Sequence, residues 1–153
     1  MIDQTDIEIL EALQEDARIS NVALAARVHL SPTPCLRRLR KLEENGFIDG
    51  YTAVLNKAAL GLNLSAYTFV KLARNTAAAA EELETAVEGF SEVVECCVVA
   101  GAHDYILRVV TRDLSAYEEF IKHKLAAVAG VTNIESTIIM SESKRQGWSF
   151  DRR

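Results

Sequence analysis

The stretch from Ser31 to Leu42 holds Arg37, Arg38, Arg40 and Lys41 and not one acid. Cations grouped at helical spacing can form charge-assisted hydrogen bonds to phosphate oxygens or to guanine edges. The hydroxyls of Ser31 and Thr33 can serve a phosphate or the end of a helix. On the residues alone, a solvated helix face explains the same run equally well. Other chemistry is missing from the chain. There is no Gly-rich phosphate loop, no nucleophile elbow and no paired carboxylates in a credible cleft, so no enzyme is expected. His29, His103 and His123 lack metal-ligand spacing, and His123 sits among lysines as a solvated residue. Cys35 stands alone and Cys96-Cys97 are adjacent, with no Cys-x-x-Cys pair. They read as buried, reduced thiols, and no metal or cofactor is expected.

Bulk composition limits where such a basic run can act. The chain has 153 residues, 49% of them hydrophobic and 25% charged, as in a soluble globular protein of one or two small domains. No apolar run approaches the ~20 residues of a membrane helix, and the acidic start Met1-Ile2-Asp3-Gln4 is no signal peptide. A cytoplasmic protein with no membrane partner is expected. Net charge is −5, with a pI of about 5.2, so the protein does not coat nucleic acid by overall charge. Residues 1–50 carry six basic and nine acidic side chains. Any contact with a polyanion must therefore be concentrated on the Ser31–Leu42 stretch.

Three helices are predicted to carry that stretch. Asp3 is a good N-cap, and Ile2 and Ile7 have the spacing of a hydrophobic staple. Ile7, Leu10 and Leu13 follow on one face, and Asp16-Ala17-Arg18 is the exit. A shorter helix begins at Ser20, with Val22, Ala25 and Ala26 as a narrow apolar face. His29-Leu30 is the turn. Ser31 then caps a third helix, with Pro32 at its first position, where a missing N–H costs nothing. Leu36, Leu39 and Leu42 form its apolar back, and Arg37, Arg40 and Lys41 its front, with Arg38 flanking. Gly46 and Phe47 fit a Schellman C-cap over Leu42. A short helix, a tight turn and a long helix with a basic front are the layout of a helix-turn-helix. Phe47 to Leu55, broken by Asp49-Gly50, reads as a small β wing or a strand.

From Leu62 the period changes to two. Leu64, Ala66, Thr68, Val70 and Leu72 alternate with Tyr67, Phe69 and Lys71. Ala77 to Glu88 is helical, with Leu83, Ala86, Val87 and Phe90 on one face. Val93 to Ala100 is a nearly continuous apolar run, expected as a strand buried on both sides. Gly101-Ala102-His103-Asp104 is a hairpin loop leading to a strand from Tyr105 to Thr111. Ser115-x-x-Glu118 reads as a capping box opening a helix that Gly130 ends, and Val131 to Met140 is the last strand. The order β-α-β-β-α-β is the ferredoxin-like arrangement. The fold class is α+β: an N-terminal winged helix-turn-helix followed by a ferredoxin-like βαββαβ domain. The boundaries are 1–50 for the helices, 51–61 for a linker strand or turn, 62–140 for the second domain and 141–153 for a polar tail. The tail contains Trp148 and Phe150.

Four segments together resemble the Lrp/AsnC, or feast/famine, transcription regulators. They are Ile19-Ser20-Asn21, Leu30-Ser31-Pro32-Thr33-Pro34-Cys35, Glu43 to Tyr51 and Gly101-Ala102-His103-Asp104-Tyr105, in the family's order and spacing. The resemblance runs from about Asp3 to Met140. It implies a sequence-specific regulator of double-stranded DNA, with the DNA contacts on Ser31, Thr33, Arg37, Arg38, Arg40 and Lys41. It also implies dimers through the βαββαβ domain, often assembled into tetramers or octamers, and a roughly palindromic operator. The implied effector is an amino acid bound near Gly101, Ala102, His103, Asp104 and Tyr105, at the contact between dimers. An Asp104 carboxylate would suit its ammonium and backbone donors beside Gly101 its carboxylate; equally, Asp104 could stabilise its own turn. The chain differs from family members that carry a basic N-terminal extension, and from leucine-responsive members, which have an acid where Ala102 stands. A nucleoid-architectural protein and an amino-acid-binding regulatory subunit are the rival readings.

Overall fold

The computed structural model describes residues 2–144; Trp148 and Phe150 lie outside that range. Two compact units emerge, one ending at Val54 and the other spanning Leu55–Glu142.

The first unit is built from α1 (Gln4–Glu15), α2 (Asn21–Arg27) and α3 (Pro32–Glu44). Asp3 caps α1 through a capping box made of two carboxylates: Asp6 N–H donates to Asp3, and Asp3 N–H donates back to Asp6. Ile9, Leu10, Ala12, Leu24, Ala25, Val28, Cys35 and Leu42 form the core. Two expectations about its faces change. Val22 is 68% exposed and Ala26 is exposed as well; Leu24 and Val28 take their places beside Ala25. On α3 the buried stripe is Cys35, Leu39 and Leu42, and Leu36 lies off it. Residues spaced i, i+3, i+6 drift about 60° per step around a helix, whereas i, i+4, i+7 holds one face.

Both turns that frame α3 end in Schellman geometry. Leu30 N–H donates to Ala25 O and His29 N–H to Ala26 O, with His29 left-handed at φ 55°. Phe47 N–H donates to Leu42 O and Gly46 N–H to Glu43 O, with Gly46 at φ 71°. The expected wing does not form a strand. Residues 48–56 find no ladder partner, and a strand without one leaves its backbone groups to water. Tyr51 instead donates to Glu43 Oε1 at 2.7 Å.

The second unit contains β1 (Leu64–Leu72), α4 (Ala77–Glu88), β2 (Val93–Val98), β3 (Tyr105–Thr111), α5 (Leu114–His123) and β4 (Val131–Ile138). All pairings are antiparallel and the sheet order is β2-β3-β1-β4, the ferredoxin-like topology. Ala66, Val70, Leu107 and Val109 pack against Leu83, Val87, Tyr117 and Phe120 from the two helices. Thr68 is fully buried on the same face, and its hydroxyl lies 2.7 Å from that of Tyr117, which donates onward to Ser136. By strand alternation and register, Tyr67, Phe69, Ile106, Arg108, Cys97 and Glu135 occupy the opposite face.

Three expectations in this unit are corrected. β2 is an edge strand, not a doubly buried one: it pairs only with β3, and Val94 and Val98 are 60% and 71% exposed. Cys96 and Cys97 on it are exposed as well, and only Cys35 is buried. The residue capping α5 is Asp113, whose carboxylate accepts from Ala116 N–H at 2.8 Å, so Ser115 sits inside the helix. An aspartate two residues earlier outcompetes the hydroxyl because its charge also suits the helix N-terminus. The helix ends at His123, followed by a 3-10 turn over Leu125–Ala127, and Gly130 at φ 85° opens β4 instead.

Candidate nucleic-acid interface and effector loop

Helix α3 places Thr33, Leu36, Arg37, Arg40, Lys41 and Glu44 along one stripe at i, i+3/4, i+7/8 and i+11, bordering an open groove of about 600 Å³. The side chains of Arg37, Arg40 and Lys41 have no hydrogen-bond or ion-pair partner among the described residues. Their charge is therefore available to an incoming anion. Asn21 holds the stripe in place from α2: its side-chain amide donates to Pro32 O at 2.9 Å, bridging the starts of α2 and α3.

Ser31 takes the N-cap position, with extended φ −78° and ψ 156°, yet its hydroxyl caps nothing. The position that would offer the N3 donor is Pro34, which has no N–H. The cap role expected of this hydroxyl is thereby corrected, and the group stays unspent at the head of the helix. Arg38 is placed apart from the other cations. Its Nη1 donates to Asp3 Oδ2 at 2.7 Å and to Asp6 Oδ1 at 2.8 Å. These partners raise the Arg38 pKa, Asp6 acting most strongly. The Asp6 backbone N–H and Arg38 together hold Asp3 below its ordinary value. Nothing in the spacing of residues 32 and 35 apart in sequence announces this pair; the Asp3-x-x-Asp6 box was the one visible clue.

The loop from Gly101 to Tyr105 is tied down from several sides. Ala102 O accepts from Lys71 Nζ at 2.9 Å. His103 Nε2 lies 3.2 Å from Glu135 Oε1, and its ring centroid is 5.1 Å from that of Phe69. The His103 contact, with a second from Asn133, holds Glu135 below the usual carboxylate range. Asp104 spends three of its polar groups on the sheet: its N–H donates to Val70 O at 3.0 Å, its C=O accepts from Val99 N–H at 2.9 Å, and its Oδ2 accepts from Leu72 N–H at 2.8 Å. A bulge interrupts the β1–β4 register between Lys71 and Leu72, and the carboxylate satisfies the amide there. The Asp104 carboxylate thus ties the loop to β1 rather than bonding within its own turn, and its Oδ1 has no such bond among the described residues.

Tyr105 turns the other way. Its hydroxyl donates to Glu84 Oε1 at 2.7 Å, and burial with this carboxylate pushes its pKa up to about 12. It lines a groove of about 380 Å³ between α4 and β2, with Glu84, Glu88, Glu95 and Cys96. None of Gly101, Ala102, His103 and Asp104 lines that groove. A Cβ at Gly101 would meet nothing within 4 Å, so open space lies beside it. In this single chain the five loop residues do not converge on one pocket. Glu84 and Glu88 are carboxylates that an ammonium would find, and sequence periodicity had marked their helix only as a core element.

No helix among the described residues is long and apolar enough to cross a membrane, and none of their side chains form a metal-binding group of three or more His, Cys, Asp or Glu.

Comparison with known proteins agrees with this architecture in both units. Residues 2–49 match a winged helix-turn-helix DNA-binding model, and residues 65–149 match the Lrp/AsnC ligand binding domain. The leucine-responsive regulatory protein of Escherichia coli is 42% identical over 144 residues, covering 94% of this chain and 88% of that protein. The proline dehydrogenase transcriptional activator of Rhizobium radiobacter is 42% identical, covering 95% and 94%. Among solved structures, a Neisseria meningitidis transcriptional regulator in complex with L-Met superposes with a TM-score of 0.92 at 37% identity, covering 95% and 94%. An AsnC family regulator from Agrobacterium tumefaciens gives 0.90 at 32%, covering 97% and 96%.

Proposed function

Because the chain belongs to the Lrp/AsnC family of DNA-binding transcription regulators, we propose that the Thr33–Arg37–Lys41 stripe of α3 reads a roughly palindromic operator and that an amino acid bound at the β2–β3 loop controls this. One observation carries the first half: among the described residues, the side chains of Arg37, Arg40 and Lys41 lie unpaired on one stripe, within a stretch of fifty residues that is otherwise acidic. An acidic body suppresses binding elsewhere, so the polyanion is steered to the groove these cations border. The free Ser31 hydroxyl serves a phosphate, and Arg37 and Lys41 reach base edges. Arg38 is spent on Asp3 and Asp6 and stays out of the contact set.

The second half rests on the loop and on the family. The N. meningitidis relative was solved with L-Met, and an amino acid is the ligand class proposed here. Oδ1 of Asp104 offers its ammonium an anion, beside the open space at Gly101. Of the five loop residues only Tyr105 lines one of the grooves described above, and a second copy is proposed to complete the site. The open sheet face, with Tyr67, Phe69 and Ile106, gives two copies a surface to share in a two-fold dimer, and a cytoplasmic location follows from access to DNA. Larger assemblies of these dimers bring two loops together.

Selection of bound sequences from random DNA, with and without a panel of amino acids, tests both halves. The expected result is a palindromic consensus whose occupancy shifts with one amino acid. Enrichment of no sequence would point to an architectural protein, and a consensus indifferent to every amino acid would remove the effector.

A further inference from the structure

The two-carboxylate capping box of α1 is closed by a guanidinium from the helix that carries the DNA-reading stripe. Asp3 and Asp6 each divide their oxygens: one accepts an N–H of the α1 N-terminus, the other accepts from Arg38 Nη1. Two like charges reaching into one helix end repel, and Arg38 offsets them. Asp6 is 15% exposed at its side chain and Arg38 34%, so the cluster is partly shielded from water. Arg38 departs from α3 one position after Arg37 and three before Lys41. At 100° per residue, holding Arg38 against α1 fixes the rotation of α3 about its own axis, and with it the direction of its neighbours.

We infer that Arg38 is a positioning residue for DNA recognition: its bridge to Asp3 and Asp6 sets the angle at which α3 presents Arg37, Arg40 and Lys41. The inference rests on α3 being the recognition helix. It assigns to two acidic residues at the opposite end of the unit's sequence a favourable part in binding a polyanion. That is the opposite sign from simple electrostatics, in which removing a carboxylate near DNA strengthens binding, both by lost repulsion and by release of Arg38 to a phosphate.

The sign makes the test decisive. The variants are Asp6→Asn and Arg38→Met, with Arg37→Ala as reference, in the full chain on its selected operator. Affinity is measured across a salt series, and melting curves establish that each variant is folded at the assay temperature. Asp6→Asn keeps an acceptor for the Asp3 N–H, so the helix cap survives. The expected result is weaker binding of Asp6→Asn by about fivefold, the equivalent of a ~1 kcal/mol coupling. Arg38→Met should weaken binding while leaving the slope of log affinity against log salt as in the parent, since a positioning residue releases no counterion. Equal or tighter binding by Asp6→Asn overturns the inference. So does a slope reduced by about 1 in Arg38→Met, which marks a direct phosphate contact. Should Arg37→Ala also bind like the parent, the recognition-helix reading itself fails; a weakened Arg37→Ala beside an unaffected Asp6→Asn refutes the positioning role alone.

Discussion

Asp104 is the residue at which a structural and a ligand-binding role separate most cleanly. Its Oδ2 accepts the Leu72 N–H at 2.8 Å, where the β1–β4 register slips and β1 has run past the end of its ladder with β3. Leu72 is 5% exposed, so water cannot replace the lost acceptor. Asp104→Ala leaves a buried amide unsatisfied, at a cost of ~1–3 kcal/mol. Asp104→Asn can keep the bond through its own carbonyl oxygen and forfeits only the charge assistance, about 1 kcal/mol. Urea unfolding at one fixed protein concentration should rank parent above Asn above Ala, with unchanged m-values. Calorimetry with the amino acid picked out by a thermal-shift screen reads the other role. There both substitutions remove the anion facing the ammonium, and Asn should lose about tenfold or more in affinity while remaining nearly as stable as the parent. An Ala variant as stable as the parent would refute the account of the Leu72 bond. An Asn variant binding the amino acid as tightly as the parent would refute the ligand role and leave Asp104 a purely structural residue.

Other expectations follow from particular contacts. Arg37→Ala and Lys41→Ala should each weaken operator binding without changing stability by more than about 0.5 kcal/mol, checked by titration at fixed salt beside thermal melting. Ile106→Asp places a charge at the middle of the open sheet face and should sediment as a monomer, beside a parent expected to sediment as a dimer at the same concentration. His29→Gly removes a side chain from a left-handed position and should stabilise the first unit by about 1 kcal/mol in chemical denaturation. For Tyr105, burial first and Glu84 second raise the folded pKa to about 12. A raised pKa gives stability that is whole below the unfolded value near ~10 and lost as pH climbs through the folded one. The advantage of the parent over Tyr105→Phe should therefore shrink between those values, and the late phenolate absorbance should fall by one tyrosine's share, the remainder belonging to Tyr51, which burial and Glu43 also push up to about 12.

Several local features are legible because one short segment settles them. The Asp3 cap, the Pro32 start, the left-handed Gly46 with Phe47, and the alternation along β1 all depend on near neighbours. The failures are just as specific. Leu36, Leu39 and Leu42 form an i, i+3, i+6 series that looks regular along the sequence but winds off the buried face at Leu36. β2 has the composition of an interior strand, and only the strand order reveals that it lies at an edge. Ser115 has the chemistry of a cap, and only the backbone shows that Asp113, two residues earlier, is the residue that turns extended. For the candidate site, the stripe Thr33–Lys41 was visible as periodic cations, but the withdrawal of Arg38 was not. That pairing joins the first turn of α1 to the middle of α3, a distance no periodicity can encode.

The strand order also dictates a schedule during synthesis. The core cluster of the first unit is drawn from residues 2–48, and such helical units complete themselves quickly. The sheet cannot keep pace, because β1 and β2 are not neighbours and both must wait for β3, whose residues come later. β1 gains its second neighbour only when β4 arrives. A nascent chain therefore passes through a stage with a finished reading head and an unassembled second unit. A message broken between Asp104 and Val131 would release that intermediate as a product: a complete helix-turn-helix unit beside a sheet that lacks its last strand.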